Sequence, residues 1–161
     1  MRILAPTVVA VALLAASAAA SAGGIVNVTF VEPDKFYDSG NSQFDKPTNL
    51  KTIEAFLQDL GKRYLADGQV LDVEVLNIDL AGYSRPTRNG DLRIVRGGAD
   101  WPSFQLRYKL SAGGQPVKQA EERVADMNYT GKLASYGARD PLKYEKQMLD
   151  GWFRERFASP Q

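Results

Sequence analysis

LDVEVLNIDLAG, residues 71–82, is the stretch whose reading decides the fold. Leu71, Val73 and Val75 alternate with Asp72 and Glu74; then Leu76, Ile78 and Leu80 alternate with Asn77 and Asp79. The apolar positions are odd in the first half and even in the second. A strand has a side-chain period of two, so it cannot change phase without a surplus residue. A bulge at Val75–Leu76 is the simplest account: it puts both apolar sets on one face and Asp72, Glu74, Asn77 and Asp79 on the other. The alternative is a second half buried on both faces. Gly82 ends the strand. The acids Asp72, Glu74 and Asp79 therefore have two readings, the solvated side of a sheet or a catalytic carboxylate cluster.

Working outward, IVNVTFV (25–31) is rich in β-branched residues and reads as a strand, stopped by the turn signal Glu32-Pro33-Asp34. The loop that follows, up to Pro47, is long, and its Phe36, Tyr37 and Phe44 are too apolar for a free linker; they are expected to pin it to the body. Thr48 to Ala66 reads as a helix with the stripe Leu50, Ile53, Phe56, Leu57, Leu60, Tyr64, capped by Thr48 and closed by Gly68. Gly61 lies beside that stripe, where it costs helix stability, and points to a close backbone approach.

Beyond the opening stretch, YSRPTRNG (83–90) reads as a turn-rich connection, and DLRIVR (91–96) as a short strand broken by Gly97-Gly98. Phe104, Leu106, Tyr108 and Leu110 alternate with Ser103, Gln105, Arg107 and Lys109, the clearest strand in the chain. SAGGQP (111–116) is a strong turn. Residues 117–129 carry a helical spacing at Val117, Ala120, Val124 and Met127, but the preceding turn favours the returning strand of a hairpin. Asp140-Pro141 starts a second helix, running to about Phe157, with Leu142, Met148, Leu149, Trp152, Phe153 and Phe157 on its apolar face. Trp152 has apolar neighbours three and four residues away and reads as core rather than as a membrane or ligand platform. The order β-α-β-β-β-β-α predicts a two-layer α+β fold: a mixed, largely antiparallel sheet of about five strands, two helices on one face, and a polar opposite face.

Arg2, the apolar run Ile3–Ala16 and Ala20-Ser21-Ala22 form a secretory signal peptide cleaved after Ala22. The apolar core is short and alanine-rich, so stable membrane insertion is not expected. Residues 23–161 then make one domain of ordinary size. There is no cysteine, so no disulfide supports it; for an exported chain this fits a bacterial periplasm. Twenty Lys and Arg stand against 19 Asp and Glu, and loss of Arg2 balances them, which argues against a nucleic-acid binder. The triplets Asn27-Val28-Thr29 and Asn128-Tyr129-Thr130 match a glycosylation acceptor, but the first falls inside a strand.

Several stretches together resemble a known family: FYD after the first strand and VEP turn, LDVEVLNIDLAGY, RIVRGGADWPSFQLRY, DMNY, and KYEKQMLDGWF. The chain is similar to the exported proteobacterial family catalogued as domain of unknown function 3016. The resemblance implies an exported, single-domain bacterial protein. It assigns no activity and carries over no catalytic or ligand residue.

The chain also has no histidine. Triads that need His, thiol nucleophiles and the usual zinc and haem ligands are therefore closed to it, and no cofactor is expected. Neither a P-loop nor a nucleophile-elbow motif occurs. Two carboxylates can hydrolyse a glycoside, and Asp72, Glu74, Asp79, Asp100 and Asp126 are the candidates. Glu32, Asp34 and Asp38 lack the spacing of a calcium loop, so no metal is expected. The most suggestive cluster is Arg85, Arg88, Arg93 and Arg96, four guanidiniums in twelve residues with Tyr83 and Trp101 near by, suited to a phosphate or carboxylate unless they pair with the sheet's acids. The expectation is a non-catalytic periplasmic module that binds an envelope component or a protein; the alternative is a small carboxylate-based hydrolase acting on envelope glycans.

Overall fold

The computed structural model describes residues 23–40, 42–88, 90–131 and 136–158; the expected signal peptide, residues 1–22, lies outside them. The phase change in the opening stretch is a β-bulge. Strand β2, Gln69–Asp79, runs antiparallel to β5, Ser103–Ala112, with Val75 opposite Leu106 and Asn77 opposite Gln105. Leu76 is the surplus residue. Leu71, Val73 and Val75 before it, and Ile78 and Leu80 after it, are all buried.

Strand β1, Ile25–Phe30, pairs with β2 in parallel, and helix α1, Asp45–Tyr64, makes the crossover. Strand β6, Gln115–Ala125, returns along β5 through a turn in which Gly113 and Gly114 have φ of 57° and 77°, a conformation that favours glycine. The four-stranded sheet has the order β1-β2-β5-β6. Helix α2, Lys143–Phe157, packs with α1 over one face. The core joins Ile53, Leu57 and Leu60 of α1 to Leu149, Trp152 and Phe153 of α2 and to the inward residues of β2 and β5. Trp152 belongs to this core, edge-on to Tyr108, Phe153 and Phe157, and its ring N–H donates to Glu122 at 2.9 Å.

Several local readings change. Helix α2 starts at Lys143, after Asp140-Pro141, and of the three aromatics expected to pin the loop only Phe36 is buried, while Tyr37 and Phe44 are exposed. Residues 83–90 are not merely a connection: Tyr83–Thr87 forms β3 and Gly90–Ile94 forms β4, a hairpin separate from the main sheet. SRPT has a proline and no apolar alternation, so the strand is defined by its partner rather than by its own pattern. Helix α1 begins at Asp45, ahead of Thr48; Ser42 Oγ accepts from the amides of Phe44 and Asp45, while the Thr48 hydroxyl donates back to the Phe44 carbonyl. The helix also ends at Tyr64, and Gly68, φ 77°, shapes the turn into β2 instead of closing the helix. Gly61 is explained by close packing on β1, against a side chain rather than the backbone expected: a Cβ there would run into the Val26 side chain.

Opposite the helices, the sheet face is polar. Arg107 bridges Glu74 at 2.7 Å and Glu121 at 2.9 Å, and the Asn27 amide donates to Asp72 at 2.8 Å. Opposite charges on neighbouring strands satisfy one another across this surface.

Candidate functional site at the foot of the hairpin

The bulge has a second effect. Beyond it, β2 is flanked by Phe36–Asp38 in place of β1: the Asp38 amide donates to the Ile78 carbonyl at 2.9 Å, and the Leu80 amide donates to the Asp38 carbonyl at 3.1 Å. This added piece buries Phe36, leaves Tyr37 exposed, and places the Asp38 carboxylate at the foot of the β3–β4 hairpin.

Arg93 on β4 meets it there. Its Nη2 lies 2.9 Å from both oxygens of Asp38, and its Nη1 donates to the Ala81 carbonyl at 3.1 Å. The Ala81 amide donates in turn to Glu145 Oε1 on α2 at 2.7 Å. Backbone groups of Ala81 thus tie the hairpin to α2. Glu145 is only 1% exposed, and its Oε2 has no hydrogen-bond partner among the described residues. Burial pushes its carboxyl up to about 7; the Ala81 amide and Arg93 act against the rise, and Asp38 adds to it. Burial, and then the neighbouring Asp38, also raises the Asp79 carboxyl.

A second knot lies beside the first. Asp100 accepts from the amides of Arg96 and Gly98 and from the Tyr129 hydroxyl, the last at 2.7 Å. Burial pushes Asp100 up, but these bonds outweigh it and hold the carboxyl below its ordinary range. Tyr129 is buried, and its hydroxyl is pushed up to about 12 by burial and by the bond to Asp100. The Asp100 carbonyl accepts the Gly82 amide at 2.8 Å, which fixes the start of β3.

The five stretches that carry the family resemblance meet at this junction. FYD supplies Asp38, LDVEVLNIDLAGY supplies Ala81, RIVRGGADWPSFQLRY supplies Arg93 and Asp100, DMNY supplies Tyr129, and KYEKQMLDGWF supplies Glu145.

The arginine cluster read from the sequence is divided. Cross-strand partners share a face, so Tyr83–Ile94 and Arg85–Leu92 lie on one side of the hairpin and Ser84–Arg93 and Pro86–Asp91 on the other. Arg93 is turned inward and committed to Asp38. Arg85 and Arg88 are exposed and, among the described residues, pair with no carboxylate; Arg96 lies over the Tyr83 ring, 4.9 Å from its centroid. Trp101 is half-buried just before β5.

The acids are divided as well. Asp72 and Glu74 border a shallow concavity of about 590 Å³ on the polar sheet face with Arg107, Lys109 and Glu121. Asp79 instead lines a hollow of about 570 Å³ with Asp38, Asp91, Asp100, Tyr37 and Tyr83. Asp126 is buried beyond the end of β6.

Sequence reasoning missed Glu145. The signal was present: it stands three residues after Leu142 and four before Leu149, on the apolar stripe of α2. The Asp38–Arg93 and Asp100–Tyr129 pairs join segments distant in sequence and leave no local mark.

The sequence model of a family described as "Protein of unknown function (DUF3016)" matches residues 24–155. No curated protein and no solved structure matches the chain.

Proposed function

We propose a function from this premise: the chain belongs to the family of proteins of unknown function designated DUF3016. The protein is a non-catalytic binding module of the bacterial periplasm, and it holds an anionic component of the envelope on the β3–β4 hairpin. The signal-like character of residues 1–22 supports export. The observation that carries the reading is the division of the arginines. Arg93, Arg107 and Arg156 each meet a carboxylate, whereas Arg85 and Arg88 stand exposed without one among the described residues. A guanidinium satisfied within the fold offers little to a ligand; an unsatisfied one on a positioned hairpin offers its full fork of donors.

The test is a titration of the mature protein with tripolyphosphate, followed by amide chemical shifts. Perturbations that gather on residues 83–96 and weaken in the triple variant Arg85→Ala/Arg88→Ala/Arg96→Ala are the expected result. Equal affinity of the two proteins ends the reading. Arg93 is kept because it holds the hairpin in place.

A second reading, a carboxylate-based hydrolase of envelope glycans, draws on the hollow that Asp79 shares with Asp38, Asp91 and Asp100. A raised carboxyl beside other carboxylates is suited to donate a proton to a leaving group. That reading predicts that Asp79→Asn abolishes release of reducing ends from peptidoglycan, and it fails if the unaltered protein releases none.

A further inference from the structure

We propose that the outer face of the β3–β4 hairpin is a docking surface for an anionic phospholipid bilayer, on which the protein rests peripherally; this rests on the reading above and names the ligand class. The face is amphipathic. Tyr83, Arg85, Leu92 and Ile94 share it, Arg96 stacks on Tyr83 at its base, and Arg88 stands at the turn. Leu92 is 56% exposed, a large aliphatic side chain held in solvent between charged neighbours.

Among the described residues no carboxylate pairs with Arg85 or Arg88: Asp91 lies on the inner face opposite Pro86, and Asp100, which lines a hollow with Tyr83 at the base of the hairpin, is engaged by the Arg96 amide. The rest of the mature chain carries 16 Lys and Arg against 19 Asp and Glu, so the three outward guanidiniums form a local positive strip on an otherwise acidic molecule. Nor do they converge on a point. Strands rise about 3.4 Å per residue, so the distance from the Arg96 end of the hairpin to the Arg88 end is roughly 15 Å. A small anion needs donors arranged around it, whereas a layer of headgroup phosphates is met by donors spread along a strip. Leu92 and Tyr83, lying within that strip, suit the boundary between headgroups and acyl chains, where an aromatic ring with a hydroxyl edge also belongs. Among the described residues no helix is long and apolar enough to cross a membrane, so the contact is a surface one.

The experiment is sedimentation of mature protein with vesicles of phosphatidylglycerol, with phosphatidylcholine vesicles as the zwitterionic arm. Binding is expected to the first and not to the second, and to be released by raising NaCl from 0.05 to 0.5 M. Each basic residue near an anionic surface contributes about fivefold, so Arg85→Ala/Arg88→Ala weakens partitioning roughly thirtyfold. Leu92→Ser, which leaves charge unchanged, weakens it by about tenfold.

Two results overturn the inference. One is equal partitioning of Leu92→Ser and unaltered protein, which makes charge alone the adhesive. The other is no vesicle binding while tripolyphosphate still titrates residues 83–96, in which case the anion-binding reading stands and the bilayer falls. Failure of both probes removes both. Circular dichroism of the variants, whose changed side chains are exposed, confirms that the fold is intact.

Discussion

Arg107 on the open sheet face lies between Glu74 and Glu121, with both carboxylates within 2.9 Å, whereas Arg85 and Arg88 on the hairpin meet no carboxylate among the described residues. The two surfaces have the same kind of charge and opposite arrangements. On the sheet, partners are brought opposite one another by register: Glu74 faces Arg107 across β2 and β5, and Arg107 faces Glu121 across β5 and β6. On the hairpin, Arg85 faces Leu92, and the acid next to that leucine, Asp91, is turned to the other side. Pairing by register makes a surface chemically quiet; a register that sets an arginine against a leucine leaves it available. The difference lies in strand pairing, not in composition.

The comparison can be broken most severely at Leu76. Deleting it together with Asn77 removes the bulge and one residue more, so that Ile78 and Leu80 turn to solvent, Asp79 turns inward, and the acids Asp79 and Glu74 no longer share a side. The deletion variant is expected not to fold cooperatively, which loss of near-ultraviolet circular dichroism and rapid proteolysis would show. A stable, cooperative deletion variant would mean that the phase of β2 does not organise the sheet.

Arg93→Ala comes next. It leaves Asp38 in a half-buried site without its bidentate partner and frees the foot of the hairpin. Breaking such a pair costs about 3–4 kcal/mol, read as a lowered urea midpoint. Arg93→Lys is expected to recover only part of it, because an ammonium cannot repeat the fork.

Glu145→Gln sharpens the comparison by pH. The folded carboxyl keeps its proton to about 7, while an unfolded one releases it near 4.5. Between those values the folded state binds the extra proton, so stability falls as pH rises and levels off above about 7. At 1.36 kcal/mol per unit the fall is about 3 kcal/mol. Glu145→Gln should flatten that dependence and be the more stable protein at pH 8, as urea unfolding at pH 5, 6.5 and 8 would show. Retention of the slope in the variant would assign it to another group.

The smallest effect separates the two surfaces most directly. Arg107→Ala should leave both the unfolding midpoint and tripolyphosphate affinity unchanged, because exposed ion pairs contribute little. Arg85→Ala should also leave the midpoint unchanged but weaken the anion. Equal loss of affinity in both would place the ligand on the sheet.

Much of this architecture is legible in the sequence, for identifiable reasons. The bulge is visible because hydrophobic phase is a local, countable property of residues 71–82. The helix stripes and the β5–β6 turn are visible in the same way, through Leu57 and Leu60, Phe153 and Phe157, and Gly113-Gly114. Strand β3 is not, because Ser84, Arg85, Pro86 and Thr87 contain no apolar alternation and are ordered by β4. Nor does sequence divide the arginines. Arg93 and Arg96 look alike until cross-strand register turns one inward, and the carboxylate that receives Arg93 comes from a segment 55 residues away. Glu145 carries one local sign, its place between Leu142 and Leu149 on the apolar stripe of α2, but the groups it meets there, the Ala81 amide and the foot of the hairpin, lie 64 residues away.

The outer margin of the sheet, β6, has Pro116 as its second residue, which brings no amide hydrogen, and the ladder then skips from the Ser111–Pro116 pair to Leu110–Lys118, so that Val117 has no counterpart. A strand arriving from another molecule would find an interrupted template and a lysine at the point where addition would start. Along this margin those three consecutive residues discourage the sheet of one copy from continuing into the next.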